Sequence, residues 1–135
     1  MKYQPSIHEL SETDAYSAKQ RLHYFLTRTV ESEEVWGLSN QSGWVMREHD
    51  KQTILPVWPY QIFAAQCATN EWQDYKPGAV SLEHFVYKLL PVIIAQEIKV
   101  EILPSTNQPG NLLDARELSE LFEGMLESGE YYMEG

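Results

Sequence analysis

The chain has 135 residues, of which 43% are hydrophobic, and this is the size and composition of one ordinary folded domain. Its formal net charge is -10 and its basic residues form no cluster, which disfavours nucleic-acid binding through neutralised phosphates. No apolar run approaches the roughly 18 residues that span a bilayer, and the start MKYQPSIHEL lacks the apolar segment of a signal peptide, so we expect a cytoplasmic protein with no membrane partner.

The first part of the chain predicts one helix followed by three strands. Ser11 and Asp14 are spaced as in a capping box, and apolar residues then recur every three or four positions as far as Val30, which is the pattern of an amphipathic helix. The segments EVWGLS and WVMRE are joined by a polar turn in which Gly43 can take a positive φ, and this predicts a β-hairpin. TILPV follows as a third strand, so we expect an antiparallel meander.

The stretch ILPVWPYQIFAAQ, residues 54–66, predicts a stiff joint between a strand and a helix. A residue before proline is driven out of the helical region, so Leu55 and Trp58 should be extended. Pro56 removes one donor from the strand ladder and therefore belongs at an edge, a bulge or the end of the strand. Pro59 suits the first turn of the helix that follows, and we expect Cys67 to lie in the middle of that helix.

The rest of the chain predicts two helices with a strand between them. NEWQDYKPG is rich in turn formers, and Ser81 then opens a helix that Pro91 should kink or divide. IKVEIL alternates like a strand and is followed by the loop PSTNQPGN. Asp114 with Glu117 begins a last helix, which Gly129 should end.

These elements occur in the order αβββααβα. The order favours the α+β class, with one mostly antiparallel sheet of four to five strands and helices packed on it. No internal repeat, low-complexity tract or long linker interrupts the chain, so we expect a single α+β domain over residues 1–135.

The last quarter of the chain is strongly acidic. From Glu101 onward Arg116 is the one basic residue, against eight acidic ones: Glu101, Asp114, Glu117, Glu120, Glu123, Glu127, Glu130 and Glu134. Because the apolar residues of the last helix face inward, Glu117, Glu120 and Glu127 should form an acid face. Such a face is most often a solvated surface, and it can also steer a basic partner protein.

The residue types that commonly carry catalysis occur without the spacing that catalysis requires. Cys67 is the only cysteine and has small, neutral neighbours, where a thiol stays inert. No two histidines have the i, i+4 spacing of a helical metal site, and the glycine-rich phosphate loops and the GxSxG elbow are absent. We therefore expect no catalytic residue, no metal and no cofactor.

Aromatic residues lie near several predicted turns and strand ends. Trp58, Trp72 and Tyr75 are candidates for a binding surface, because tryptophan and tyrosine are enriched in the residues that dominate binding energy. The alternative is that these rings cover the core of a small sheet, since each buries a large apolar area.

Three segments, VWGLSNQSGWVM, ILPVWP and EWQDYKPGAVSLEHFVYKLLP, resemble a bacterial family known as domain-of-unknown-function family 2750. The resemblance covers nearly the whole chain, from the first helix to the last, and it implies no established activity. A weaker similarity joins ILPVW, SLEHFVYKLLP and EILPSTNQPGNLLDARELSELF to the enhanced-serine-sensitivity protein family. That similarity implies a shared α+β core and a non-enzymatic interaction role.

Three hypotheses on function follow. The leading one is a small, acidic bacterial protein that binds a protein partner as an inhibitor, immunity protein or adaptor, through the acid face or the aromatic residues. The alternative is a small-molecule binder or enzyme with a pocket beside residues 54–66, using His84 and Glu83. The third is a homodimer formed through a strand edge near Pro56 or through the last helix.

Overall fold

The computed structural model describes residues 5–128. The helices are α1 (Ile7–Asp14), α2 (Ala18–Ser32), α3 (Gln61–Gln66), α4 (Leu82–His84), α5 (Leu90–Ala95) and α6 (Ala115–Ser128), with a 3₁₀ turn at Asn70–Trp72 and a π-helical segment at Phe85–Leu89. The strands are β1 (Glu34–Asn40), β2 (Gly43–Trp44), β3 (Arg47–His49), β4 (Gln52–Val57), β5 (Lys76–Ser81), β6 (Lys99–Ile102) and β7 (Asn111–Asp114). Among these residues, no helix is both long and apolar enough to cross a membrane.

The described strands form two sheets, in the orders β2-β1-β5 and β3-β4-β6-β7. All pairs are antiparallel except β4 with β6. The α+β class and the mostly antiparallel pairing are thus confirmed. The structure differs from the single sheet expected because the second arm of the predicted hairpin leaves the first sheet after Trp44 and enters the second at Arg47.

The two sheets are joined at one point and share one core. Trp36 of β1 and Trp58, just after β4, exchange backbone hydrogen bonds of 2.8 and 2.9 Å. The buried hydrophobic cluster includes residues of both sheets and of the helices. Within it Phe122 lies 6.1 Å from Phe25 and 6.2 Å from Phe85, measured between ring centroids, so α2, α6 and the π-helical segment meet around one aromatic contact.

The predicted first helix is in fact two helices. Its predicted start at Ser11 is wrong, since Ser11 lies inside α1 and the chain breaks before α2. The capping box belongs to α2 instead: the Ser17 side chain accepts from the Gln20 N–H, and the Gln20 side chain accepts from the Ser17 N–H. Ser11 and Ser17 both have a possible capping partner three residues later, and only Ser17 lies at the start of a long apolar stripe.

The prediction that Pro91 kinks or divides its helix is confirmed. Ser81 caps α4 by accepting from the His84 N–H, and the helix then widens into the π-helical segment before it resumes as α5 at Leu90. Proline clashes with the carbonyl four residues earlier in a regular α-helix, and a π turn relieves that clash.

The strands β5 and β7 were not predicted. Pro77 and Gly78 in β5 are turn formers, so the sequence predicted a turn where β5 in fact pairs along six residues with β1. A proline is tolerated there because β5 lies at an edge of its sheet. At the end of the chain α6 begins at Ala115 as expected after Asp114, and the predicted stop at Gly129 lies outside the described residues.

Candidate functional site

The joint at residues 54–66 begins in β4, an interior strand of the second sheet, and ends in α3. β4 runs parallel to β6, with Pro56 beside Glu101 in the register. The antiparallel register with β3 reaches only as far as Ile54, so Pro56 lies beyond the end of β3, and its predicted place near a strand end is confirmed. The prediction for Pro59 is wrong, because α3 begins at Gln61 with Tyr60 as its N-cap.

Trp58, a predicted binding residue, is completely buried, with 0% of its surface exposed. Its indole Nε1 donates a hydrogen bond of 2.8 Å to the carbonyl of Pro104. The ring is therefore part of the core in this conformation, and its polar atom binds the loop that follows β6 rather than a partner.

A cleft of about 440 Å³ opens where the parallel strands β4 and β6 end. Its floor contains Arg47 and Glu101, one wall is made by Cys67 and residues 69–72, and the other by residues 104–109. We call it the β4–β6 cleft. Ligands of α/β sheets commonly bind in the crevice outside the carboxyl ends of parallel strands, which is where this cleft lies.

Glu101 is the buried charge at the floor of the cleft. Its Oε1 lies 3.1 Å from Arg47 Nε, and the side chain of Glu101 is only 3% exposed, against 32% for Arg47. Its Oε2 accepts a hydrogen bond of 2.9 Å from the Gly110 N–H. Both oxygens are thus occupied, as a buried carboxylate requires. Sequence reasoning missed this pair, although a glutamate in an interior strand is itself a signal.

The loop Leu103–Gly110 forms one wall of the cleft and is held from the core side. The Pro104 carbonyl accepts two hydrogen bonds, from Trp58 Nε1 and, at 3.3 Å, from Cys67 Sγ. Trp58 belongs to the joint, and Cys67 follows it directly at the C-cap of α3. The joint and the residue that follows it therefore support the cleft wall, which explains why the Trp58 indole and the Cys67 thiol face inward.

The tip and the far end of the same loop are fixed as well. Ser105 Oγ accepts from the Asn107 N–H at 3.2 Å, and Asn107 Nδ2 donates to Asp14 Oδ2 at 3.0 Å, which ties the tip to the end of α1. At Gly110 a Cβ atom would lie 2.8 Å from the backbone nitrogen of Pro104, so glycine permits a close approach of the backbone there. The loop is thus tied to the rest of the fold at its tip and at Gly110.

A family model for proteins of unknown function, DUF2750, matches residues 22–122. This chain belongs to the DUF2750 family. The match contains every residue that lines the β4–β6 cleft. No curated protein matches the chain, so the function of this DUF2750 protein has to be argued from its geometry.

Of the other aromatic candidates, Trp72 reaches the cleft and Tyr75 does not. Trp72 ends the 3₁₀ turn, is half-buried and lines the cleft. Tyr75 is half-buried against the core and is not among the lining residues. His84 and Glu83, named with the alternative hypothesis, are exposed on α4 and do not line the cleft either.

Cys67 was predicted to lie in the middle of α3, and this is wrong. It lies at the C-cap of that helix. Burial, followed by the negative charge of Glu101, raises the pKa of its thiol to about 11. A thiol that stays protonated at neutral pH is a poor nucleophile. The cleft thus contains a thiol and a carboxylate whose surroundings do not favour nucleophilic chemistry.

The acidic residues predicted to bind a partner are exposed on α6. Glu117, Glu120, Glu123 and Glu127 lie on its outer side, whereas Leu118 and Phe122 are fully buried. None of these four carboxylates forms an ion pair with another described residue. We call this set the α6 acid face. Glu130 and Glu134 lie outside the described residues, and residues 5–128 contain no cluster of three or more side chains that could hold a metal ion.

Breaking the Arg47–Glu101 pair from either side should give unequal losses of stability. Arg47→Met leaves a buried carboxylate without its cation and should lower the free energy of unfolding by about 2 kcal/mol. Glu101→Gln keeps an acceptor for the Gly110 N–H and should cost about 1 kcal/mol. In urea unfolding, the double variant should be less destabilised than the sum of the two single variants; strict additivity would mean that the pair contributes nothing.

The thiol of Cys67 should react only when the protein unfolds. The unfolded thiol has a pKa near 8.5, so at about pH 8 its thiolate fraction exceeds that of the folded protein by on the order of 100-fold. Because the folded pKa is the higher one, this group's contribution to stability is fully present below about pH 8 and is lost as the pH rises toward about 11. Labelling with a disulfide reagent, with and without urea, measures this; equal rates in the two states would contradict it.

Proposed function

We propose that this DUF2750 protein is a binding protein whose β4–β6 cleft holds a small polar ligand. The observation that carries the proposal is the cleft itself: a preformed crevice at the ends of two parallel strands, with one aromatic ring, Trp72, on a wall and a charged pair at the floor. A cytoplasmic location, supported by the single cysteine, belongs to the same proposal.

The charges of the lining favour a ligand without net negative charge. Arg47 and Glu101 offset each other, and Glu71 adds one negative charge. The rest of the lining consists mainly of hydroxyl and amide side chains, which both donate and accept hydrogen bonds. A neutral molecule with several polar groups and one flat face for Trp72, such as a nucleoside or a sugar, suits this lining.

A binding role is favoured over catalysis by the state of the two reactive groups in the cleft. The carboxylate of Glu101 already has partners on both oxygens, and the pKa of Cys67 is raised rather than lowered. A nucleophile or general base needs the opposite arrangement, with an accessible atom and a pKa near neutrality.

The cleft can be tested by adding nucleosides and simple sugars, one at a time at millimolar concentration, to the ¹⁵N-labelled protein. A ligand of this class should shift the indole N–H signal of Trp72 and the amides of residues 105–108. Trp72→Ala should weaken binding about fivefold or more, since stacking on one ring contributes about 1 kcal/mol or more. Tyr75→Ala is the matched control, because it removes a nearby ring that does not line the cleft.

Two results would reject this proposal. One is a set of shifts that avoids the cleft; the other is an affinity that is the same in the wild type and in Trp72→Ala. If none of these compounds shifts any cleft signal, the proposed ligand class is wrong.

A second proposal is that the α6 acid face binds a basic partner protein. It is supported by four exposed carboxylates on one side of a helix, none of them paired with another described residue. Like charges three and four residues apart repel one another by a few tenths of a kcal/mol per pair, and a basic surface would relieve that repulsion.

The acid face can be tested by reversing Glu117, Glu120 and Glu127 to lysine. A matched control reverses Glu48, Glu83 and Glu97, which are exposed elsewhere and change the net charge equally. A partner captured from lysate at low salt should be lost with the first variant and kept with the second. Equal loss with both variants would mean that overall charge, and not this face, governs capture.

A further inference from the structure

A second concave site lies on the other side of the loop Leu103–Gly110. It is a groove of about 610 Å³ between the start of α2 and β7, lined among others by Ala18, Lys19, Arg21, Gln108 and Asn111. We call it the α2 groove. Its described lining includes two cations and no carboxylate, in a chain whose net charge is -10.

Arg21 is the buried cation of this groove. The residue is only 2% exposed, and its Nη2 donates a hydrogen bond to the Leu103 carbonyl. Its Nε and Nη1 are buried and have no hydrogen-bond partner among the described residues. Buried charged donors are rarely left unfilled, because the lost hydration costs more than for a neutral group.

The carboxylates near Arg21 do not remove this excess of donors. Burial lowers the pKa of the Arg21 guanidinium, and the charges of Asp14 and Glu101 offset only part of that lowering. Neither carboxylate accepts a hydrogen bond from Arg21, and neither lines the groove. Glu101 is already paired with Arg47 on the cleft side.

The N-terminus of α2 adds donors at the same place. Ser17 accepts the Gln20 N–H, whereas the N–H groups of Ala18 and Lys19 in the first turn have no acceptor within the helix. α2 has 15 residues, so its dipole places a partial positive charge at this end. Helix N-termini with neighbouring cations are suited to carboxylate and phosphate groups.

We propose that the α2 groove binds a small anionic group, either a carboxylate or a phosphate. The accessible contacts are the Lys19 ammonium and the first-turn N–H groups of α2, while the charge of Arg21 lies beneath them in a region of low dielectric. This site is separate from the β4–β6 cleft and does not rest on the function proposed for it. The negative net charge of the protein opposes binding, so the affinity should be modest and should fall with salt.

The test is a titration of the ¹⁵N-labelled protein with inorganic phosphate and, separately, with acetate, at constant ionic strength set with chloride. Each anion that binds should give saturable shifts of the Ala18 and Lys19 amides and of the Arg21 Nε–H. Saturation by phosphate alone identifies a phosphate site, and saturation by both identifies a general oxyanion site; either result supports the proposal.

Two variants test the contacts without touching the buried guanidinium, whose removal could unfold the protein. Lys19→Ala should weaken binding about threefold to tenfold. Ala18→Pro removes one N–H at the first helical position, where proline is well tolerated. The preceding residue, Ser17, is already extended, with φ -69° and ψ 168°. Lys88→Ala is the control, because it removes an equal charge from an exposed position outside the groove.

The proposal is overturned if neither anion gives saturable shifts at these positions. It is also overturned if the Lys19→Ala and Lys88→Ala variants bind with the same affinity as the wild type, since the shifts would then report only a general salt effect.

Discussion

The fold depends on how a buried carboxylate is accommodated. Glu101 lies in an interior strand, where an unpaired charge would be strongly destabilising. Arg47 from β3 and the backbone of Gly110 supply its partners, and Arg21 from α2 lies within the range of its charge. Because Arg47 and Gly110 come from two separate elements, satisfying one side chain fixes β3 relative to the loop after β6.

That loop adopts a conformation that its own sequence does not favour. Leu103 has a φ of 54°, which costs a residue with a side chain about 1 kcal/mol. Arg21 donates to the Leu103 carbonyl, and the Leu103 N–H donates to the Val57 carbonyl at 3.0 Å. The carbonyl of the next residue, Pro104, accepts from Trp58 and Cys67. The contacts that hold this conformation also shape the cleft, so the site is formed before binding and needs little ordering afterwards.

Sequence periodicity identified the elements whose signals are local. Three features could be predicted because each depends only on residues close in sequence. They are the hairpin turn at Gly43, which has a φ of 118°, the helix cap at Ser81 and the division of the helix near Pro91. The strand β5 could not be predicted from local sequence, because Pro77 and Gly78 favour a turn and only the pairing with β1 makes the segment a strand. Local signals cannot show which strand will be at an edge.

The site was predicted only in part for a related reason. Trp72 is an aromatic residue near a predicted turn and does line the cleft, whereas Trp58 meets the same criterion and is buried. What separates the two is the parallel pairing of β4 with β6, which covers Trp58 with the loop after β6. Arg47 and Glu101 are 54 positions apart in the chain and meet only through that pairing.

The two concave sites differ in how they relate to the family. Every residue that lines the β4–β6 cleft falls within the DUF2750 match, whereas Ala18, Lys19 and Arg21 of the α2 groove precede it. The two sites share the loop Leu103–Gly110, since Gln108 and Pro109 line both. A function common to the family would therefore be sought in the cleft.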